Sequence, residues 1–190
     1  MGWKGIHSIG SKKAIQMIYS GKIWKFGDNI STDIIMPGST FFTNPIINDK
    51  DLSKYSMMAI RPKWASQVEK GDIIVAGKNF GCGSGRPASK IFIALGISVV
   101  VAESTSRIFF RNSIHLGFPI ISCPGVSLSF EEGDTAKVNI ITGEVRNLTR
   151  GITIYGDHLP ENSPPYQIFM AGGIESFLKL ELQKIKSRQD

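Results

Sequence analysis

Three short apolar runs, residues 73–76, 97–102 and 118–122, alternate with two segments of helical spacing, residues 86–95 and 106–115. Runs this apolar belong to strands covered on both faces, and strands separated by helices pair in parallel through right-handed crossovers. The middle of the chain is therefore predicted to be an α/β unit built on a parallel sheet. Turn-bounded strand signals flank it, at residues 22–26 on one side and at 137–141 and 152–155 on the other, which adds mixed β structure at both ends. A closing helix is expected over about residues 166–185, interrupted at Gly172-Gly173. With 190 residues and 42% hydrophobic composition the chain can bury one substantial core. The expected organisation is an extension over residues 1–21, with a short helix near Ile15 and Ile18 ended by a turn at Gly21, followed by a single domain over residues 22–190.

Charge and cysteine usage narrow the function classes. A net charge of +6 attracts nucleic acid, anionic membranes or small carboxylates alike. The lysines are scattered, however, and no zinc-finger or RNA-recognition pattern accompanies them. Two cysteines, Cys82 and Cys123, stand apart from each other and from any histidine cluster, so no metal site is expected on this chain. No run reaches the length of a membrane span and no signal-peptide pattern opens the chain, so the cytoplasm is the expected location.

Chemistry concentrates in residues 77–86, Gly-Lys-Asn-Phe-Gly-Cys-Gly-Ser-Gly-Arg, between a predicted buried strand and a predicted helix. Glycines permit tight turns and close ligand approach, amides at a helix start favour an anion, and an arginine grips a carboxylate through two parallel hydrogen bonds. The segment has neither the GxxxxGK[ST] phosphate pattern nor the full GxGxxG spacing. Spacing alone leaves two readings open: a carboxylate pocket with Ser84 beside it, or an ordinary glycine turn with a surface arginine.

This phrase resembles the signature of the small subunits of 3-isopropylmalate dehydratase and homoaconitase, the counterparts of the swivelling fourth domain of aconitase. Two further segments carry the same resemblance. Residues 28–37, Asp-Asn-Ile-Ser-Thr-Asp-Ile-Ile-Met-Pro, resemble the family's early DN-x-x-TD-x-I-x-P segment, and residues 107–113, Arg-Ile-Phe-Phe-Arg-Asn-Ser, its later RIF-[YF]-RN stretch. Together the three ordered matches span roughly residues 22–182 and are far more specific than any single glycine loop.

The resemblance implies an α/β domain of the swivelling β/β/α type. It implies that this chain binds no cofactor itself and works with a large subunit whose cysteines hold a 4Fe-4S cluster over a dicarboxylate substrate. By position Ser84 corresponds to the family's base, Arg86 to its carboxylate-binding arginine, and Thr32 and Asp33 to its active-site Thr-Asp pair. A turn or helix cap is the other reading of that pair. A serine hydroxyl ionises only with help from cationic groups, backbone donors and exclusion of water. Arg107, Arg111 and Asn112 are expected to act structurally, pinning the domain through backbone or carboxylate contacts. His115 and Cys82 are read as packed, unreactive groups.

Two departures bear on the chemistry. Where the family has two serines before the arginine, followed by Glu-His, this chain reads Ser84-Gly85-Arg86-Pro87-Ala88, so Gly85 offers the substrate a backbone N–H but no hydroxyl. Where homoaconitase small subunits carry Tyr-Leu-Arg-Thr, this chain reads Thr40-Phe41-Phe42-Thr43. An apolar ring cannot pair with a third carboxylate, so Phe41 and Phe42 favour 3-isopropylmalate or another alkyl-substituted malate, unless both rings face the core or the partner. The expectation is a hydro-lyase small subunit. Its alternative is a non-catalytic carboxylate-binding or assembly paralogue.

Overall fold

The computed structural model describes residues 17–39 and 48–187 of the chain. Its centre is one seven-stranded mixed sheet. The strands are β1 (Ile18–Lys25), β2 (Ile73–Ala76), β3 (Val99–Ala102), β4 (Ile120–Ser122), β5 (Thr135–Asn139), β6 (Glu144–Asn147) and β7 (Ile152–Tyr155), arranged in the order β4-β3-β2-β1-β5-β6-β7. Strands β1 to β4 run parallel, and β1, β5, β6 and β7 form an antiparallel meander. β1 thus belongs to both halves, pairing Ile23 with Ile73 on one edge and Ile18 with Asn139 on the other.

The parallel strands are as apolar as their burial demands. All four residues of β2 and of β3 are buried, and each such Val or Ile side chain withdrawn from water contributes about 1.5–3 kcal/mol. Helices cover this half: α3 (Ser89–Leu95) and α4 (Arg107–His115) follow β2 and β3, and α6 (Pro164–Met170) and α7 (Ile174–Lys186) close the chain. The one-turn helices α1 (Thr32–Ile35), α2 (Asp49–Ser53) and α5 (Val126–Ser129) and a 3-10 turn at Trp64–Ser66 fill the connections. An aromatic cluster of Phe80, Phe92, Phe109 and Phe118, with centroids 5.5–6.1 Å apart, sits between α3, α4 and the loop after β2. Elsewhere in the core Trp24 and Phe26 meet the buried Trp64 edge to face at 6.1 and 5.3 Å.

The structure corrects several expectations. β1 begins at Ile18, inside the stretch expected to be an extension, because residues Ile18 to Lys22 find a ladder on β5 that local sequence cannot reveal. Gly21 is strand and not turn: a Cβ there would lie 2.1 Å from the Gly71 carbonyl oxygen. Thr32 and Asp33 open a helical turn, since the Ser31 hydroxyl accepts from the Ile34 amide and caps it. Helix α3 starts at Ser89, past Pro87, and Ser106 caps α4. Strand β6 and helix α5 went unpredicted. Asn147, buried in β6, donates to the Asp134 carboxylate, which also accepts from Arg150.

Candidate active site

The loops that follow β1, β2 and β3 all leave the same, carboxyl-terminal edge of the parallel strands, where open α/β sheets receive ligands. They are zipped together beyond the strands. The Asn29 amide donates to the Lys78 carbonyl, Gly81 to Ile30 and Thr32 to Cys82, at 2.7–2.8 Å, so the first two loops continue the β1–β2 pairing irregularly. Asp28 accepts from the Lys78 amide at 2.6 Å. Asn29 and Asn79, both at positive φ, bond side chain to side chain at 2.9 Å. The third loop locks on through Phe80 to Ser104 and Ser106 to Phe80.

Gly81 is one of the tightest points of this assembly. Its φ is +72°, and a Cβ would stand 2.1 Å from Cγ of Phe109, so the glycine lets the loop lie flat on α4. From the same helix Ser106 donates to the Gly81 carbonyl at 2.6 Å and Asn112 donates to the Gly85 carbonyl at 3.0 Å. The chain from 81 to 85 is therefore anchored at both ends while Ser84 and Gly85 remain exposed.

Into this frame the structure brings four of the seven predicted site residues as one group. The buried Thr32 hydroxyl lies 3.2 Å from the Ser84 hydroxyl and 3.2 Å from the Ser84 carbonyl oxygen. Arg86 reaches across to α1, donating from Nη1 to Asp33 Oδ1 at 2.5 Å and to the Met36 carbonyl at 3.3 Å. One nitrogen makes both contacts, which leaves the remaining donors of the guanidinium for a ligand. The guanidinium packs over Gly38, where a Cβ would lie 2.7 Å from both terminal nitrogens. Gly85 forms the outer turn, with room for a side chain: a Cβ would stand 3.7 Å from Ile108, an ordinary contact. Phe41 and Phe42 lie outside the described residues.

Behind the site Glu103 organises the next loop. Its carboxylate accepts from the amides of Gly125 and Ser127 and from the Ser127 hydroxyl. Burial pushes its pKa up, but these bonds and the charge on Lys78 outweigh burial and hold it below the ordinary value. Sequence reading missed the roles of Glu103 and Gly38, whose partners come from distant segments, and of Ser31, whose cap on the Ile34 amide is local and was signalled by a serine before a Thr-Asp turn.

The remaining candidates separate. Asn112 has the structural contact expected of it, whereas Arg107 and Arg111 make no ion pair or side-chain hydrogen bond among the described residues and pin nothing there. Cys82 is half-buried, and Cys123 is buried, with its thiol pushed up to about 12 by burial and by Glu103 and Asp157 nearby. Among the described residues no three His, Cys, Asp or Glu side chains gather as a metal site. Two thiols this far apart in environment do not fit an iron–sulfur cluster, and no described helix is long and apolar enough to cross a membrane.

Comparison with known proteins accounts for this loop-edge arrangement. The aconitase C-terminal domain family matches residues 28–123, the stretch that holds all three zipped loops. The isopropylmalate/citramalate isomerase small subunit of Methanocaldococcus jannaschii is 42% identical over 170 residues, covering 88% of this chain and 98% of that protein. The 3-isopropylmalate dehydratase small subunit of Caldicellulosiruptor bescii is 41% identical over 169 residues, 88% of this chain and 99% of that one. A crystal structure of 3-isopropylmalate dehydratase from M. jannaschii superposes with a TM-score of 0.81 at 32% identity, over 92% of this chain and all of the other. The chain belongs to the aconitase C-terminal domain family, among its 3-isopropylmalate dehydratase-type small subunits. The expected α/β fold of that type is the one the sheet and its helices build.

Proposed function

We propose that this chain is the small subunit of a two-subunit hydro-lyase of the 3-isopropylmalate dehydratase type, with Ser84 as base and Arg86 as carboxylate clamp. The observation that carries this reading is the joint placement of Thr32, Asp33, Ser84 and Arg86 on one exposed edge. Ser84 as alkoxide takes the proton from the carbon next to the one bearing the hydroxyl. The C–H electron pair becomes the alkene bond, the hydroxyl leaves the neighbouring carbon with its bonding pair as hydroxide, which a Lewis-acidic cluster on the large subunit would accept, and the proton rests on Ser84 Oγ. Hydration on the other carbon reverses these steps and completes the isomerisation.

Thr32 sets the protonation of that serine. Its hydroxyl has one proton and two acceptors within 3.2 Å, the Ser84 carbonyl and the Ser84 hydroxyl oxygen. At rest it donates to the carbonyl and accepts from Ser84. As Ser84 ionises, Thr32 turns its proton onto the alkoxide, a charge-assisted bond roughly twice as strong as a neutral one. Asp33 fixes the Arg86 fork, and Arg86 supplies positive charge beside both the substrate carboxylate and the ionised serine.

The cysteines of this chain do not fit a 4Fe-4S cluster, so we assign the cluster to a large subunit, in keeping with the "small subunit" names of the relatives. The free thiols suit a reducing cytoplasm. Phe41 and Phe42 are assigned to the alkyl end of a substituted malate, 3-isopropylmalate being the first candidate. A second reading, a carboxylate-binding paralogue without turnover, draws on Gly85, where a side chain would fit yet no hydroxyl is present.

Reconstitution with a cluster-loaded large subunit under anaerobic conditions decides between them. Turnover of 3-isopropylmalate over homocitrate is expected, with Ser84→Ala lowering kcat by about 10³-fold. Equal turnover by Ser84→Ala would remove the serine from the mechanism. No turnover by a stable, cluster-loaded complex would favour the paralogue.

A further inference from the structure

A cleft of about 750 Å³ opens at the carboxyl ends of β3 and β4, beside the start of α4, and neither Ser84 nor Arg86 lines it. This volume lies within the range of small-molecule pockets. Its floor is aliphatic: Ile120, Ile121 and Ile140 are all buried in the core yet present atoms to the cleft, with Leu159 closing one side. Arg107 and Arg111, one helical turn apart on α4, line it as well. Both are exposed and neither has a carboxylate or carbonyl partner among the described residues. Asp157 and His158 line it from another segment, and among the described residues no cationic nitrogen lies within 4 Å of the Asp157 carboxylate.

We propose that this cleft binds a small carboxylate carrying an aliphatic body, with Arg107 and Arg111 on the carboxylate and the isoleucines under the hydrocarbon. Two arginines at i and i+4 without partners are a fork waiting for a planar anion. The floor sets the rest of the ligand. The hydroxyls that line it, Thr105 and Ser122, are 3.3 Å apart and bond to each other, which leaves a single hydroxyl proton between them, so a bare oxyanion would lie mostly over hydrocarbon. Asp157 adds a like charge that a dianion meets less favourably than a monoanion does. A branched or linear alkyl monocarboxylate satisfies all three conditions.

The cleft also touches the loop described above. Ile108 lines it and stands against Gly85, whose carbonyl is held by Asn112 from the next turn of α4. A ligand in the cleft therefore packs against the helix that anchors the Ser84 turn.

The test is calorimetric titration of the full chain with 4-methylpentanoate, with 4-methylpentanol and inorganic phosphate as tail-only and head-only controls. For a ligand this small a Kd on the order of 1 mM is expected. Phosphate and the alcohol should each bind at least about tenfold more weakly, and Arg107→Ala and Arg111→Ala should each weaken the carboxylate by about tenfold. Both arginines are exposed, and circular dichroism of the variants checks that the fold is intact. Carboxylate binding unchanged in the double variant would overturn the proposal, as would phosphate binding equal to that of the carboxylate. Absence of binding by the wild type would overturn it too. If the double variant then lost its hold on the large subunit, the arginines would be reading an acidic segment of that partner.

Discussion

Replacing Gly38 by alanine separates the activity of this chain from its stability. The added Cβ would lie 2.7 Å from Nη1 and Nη2 of Arg86, against an ordinary contact of about 3.5–4 Å, so the guanidinium must withdraw by about 1 Å. The obstacle is the mobile end of a side chain, and Gly38 is outside the left-handed region, so the backbone tolerates the change. Two small stability effects oppose each other. Losing the partly exposed Arg86–Asp33 pair costs about 0–1 kcal/mol, and stiffening the unfolded chain returns about 0.4–1 kcal/mol. The net should fall within about 1 kcal/mol of zero, or roughly 3 °C in Tm for a chain of this length. Activity answers differently, because a displacement of about 1 Å in a positioning contact costs about 10²-fold. Steady-state kinetics of the reconstituted enzyme, beside a thermal melt of the small subunit, measure both. The rise should appear largely in KM, since Arg86 grips the substrate before and during the reaction. Activity within about threefold of wild type would refute the role of Arg86 as clamp. A Tm lowered by about 10 °C would refute the claim that only the side chain moves.

Gly81→Ala should do the reverse and act on the fold: left-handed strain of about 1–2 kcal/mol and overpacking against Phe109 of about 1–3 kcal/mol lower Tm by roughly 5–15 °C, as differential scanning calorimetry would register. Acid should weaken the protein through Glu103. Burial raises its pKa but the Ser127 and Gly125 hydrogen bonds bring it below the ordinary 4.5, so the folded chain binds fewer protons, and the stability Glu103 adds is complete above that value and lost as pH falls through and below it. Urea midpoints measured from pH 6 to pH 3 should therefore decline less steeply in Glu103→Gln than in wild type, and parallel slopes would count against the argument. Iodoacetamide at pH 8 should label the half-exposed Cys82 while the Cys123 thiol, raised to about 12 in the core, reacts only after unfolding; mass spectrometry counts the adducts.

The parts of the fold that were legible in the sequence are those whose signal is local. Residues 73–76 and 99–102 are uniformly apolar because both faces are covered, and Gly117 and Gly172-Gly173 mark helix ends through positive φ. β6 was illegible because its buried positions are Val145 and a polar Asn147, whose partner is Asp134. Of the site, the identities of Thr32, Asp33, Ser84 and Arg86 could be read from motif resemblance, but their geometry could not. That geometry rests on amide-to-carbonyl bonds between residues some 50 apart, such as Thr32 to Cys82 and Gly81 to Ile30, which no local pattern encodes. Gly38 carried no local signal because its meaning lies in a guanidinium arriving from another loop.

The double membership of β1 governs how the chain must be made. Its parallel neighbour, β2, leaves the ribosome some fifty residues later, but its antiparallel neighbour, β5, follows only after the other parallel strands and the helices α3 and α4. Until Thr135–Asn139 arrives, Ile18 to Lys22 present an unpaired edge, and such edges recruit other chains. A product terminated near residue 130 would contain all the site loops and most of the core, yet it would be prone to aggregate. The strand that completes the sheet has no part in the chemistry and decides whether the domain closes.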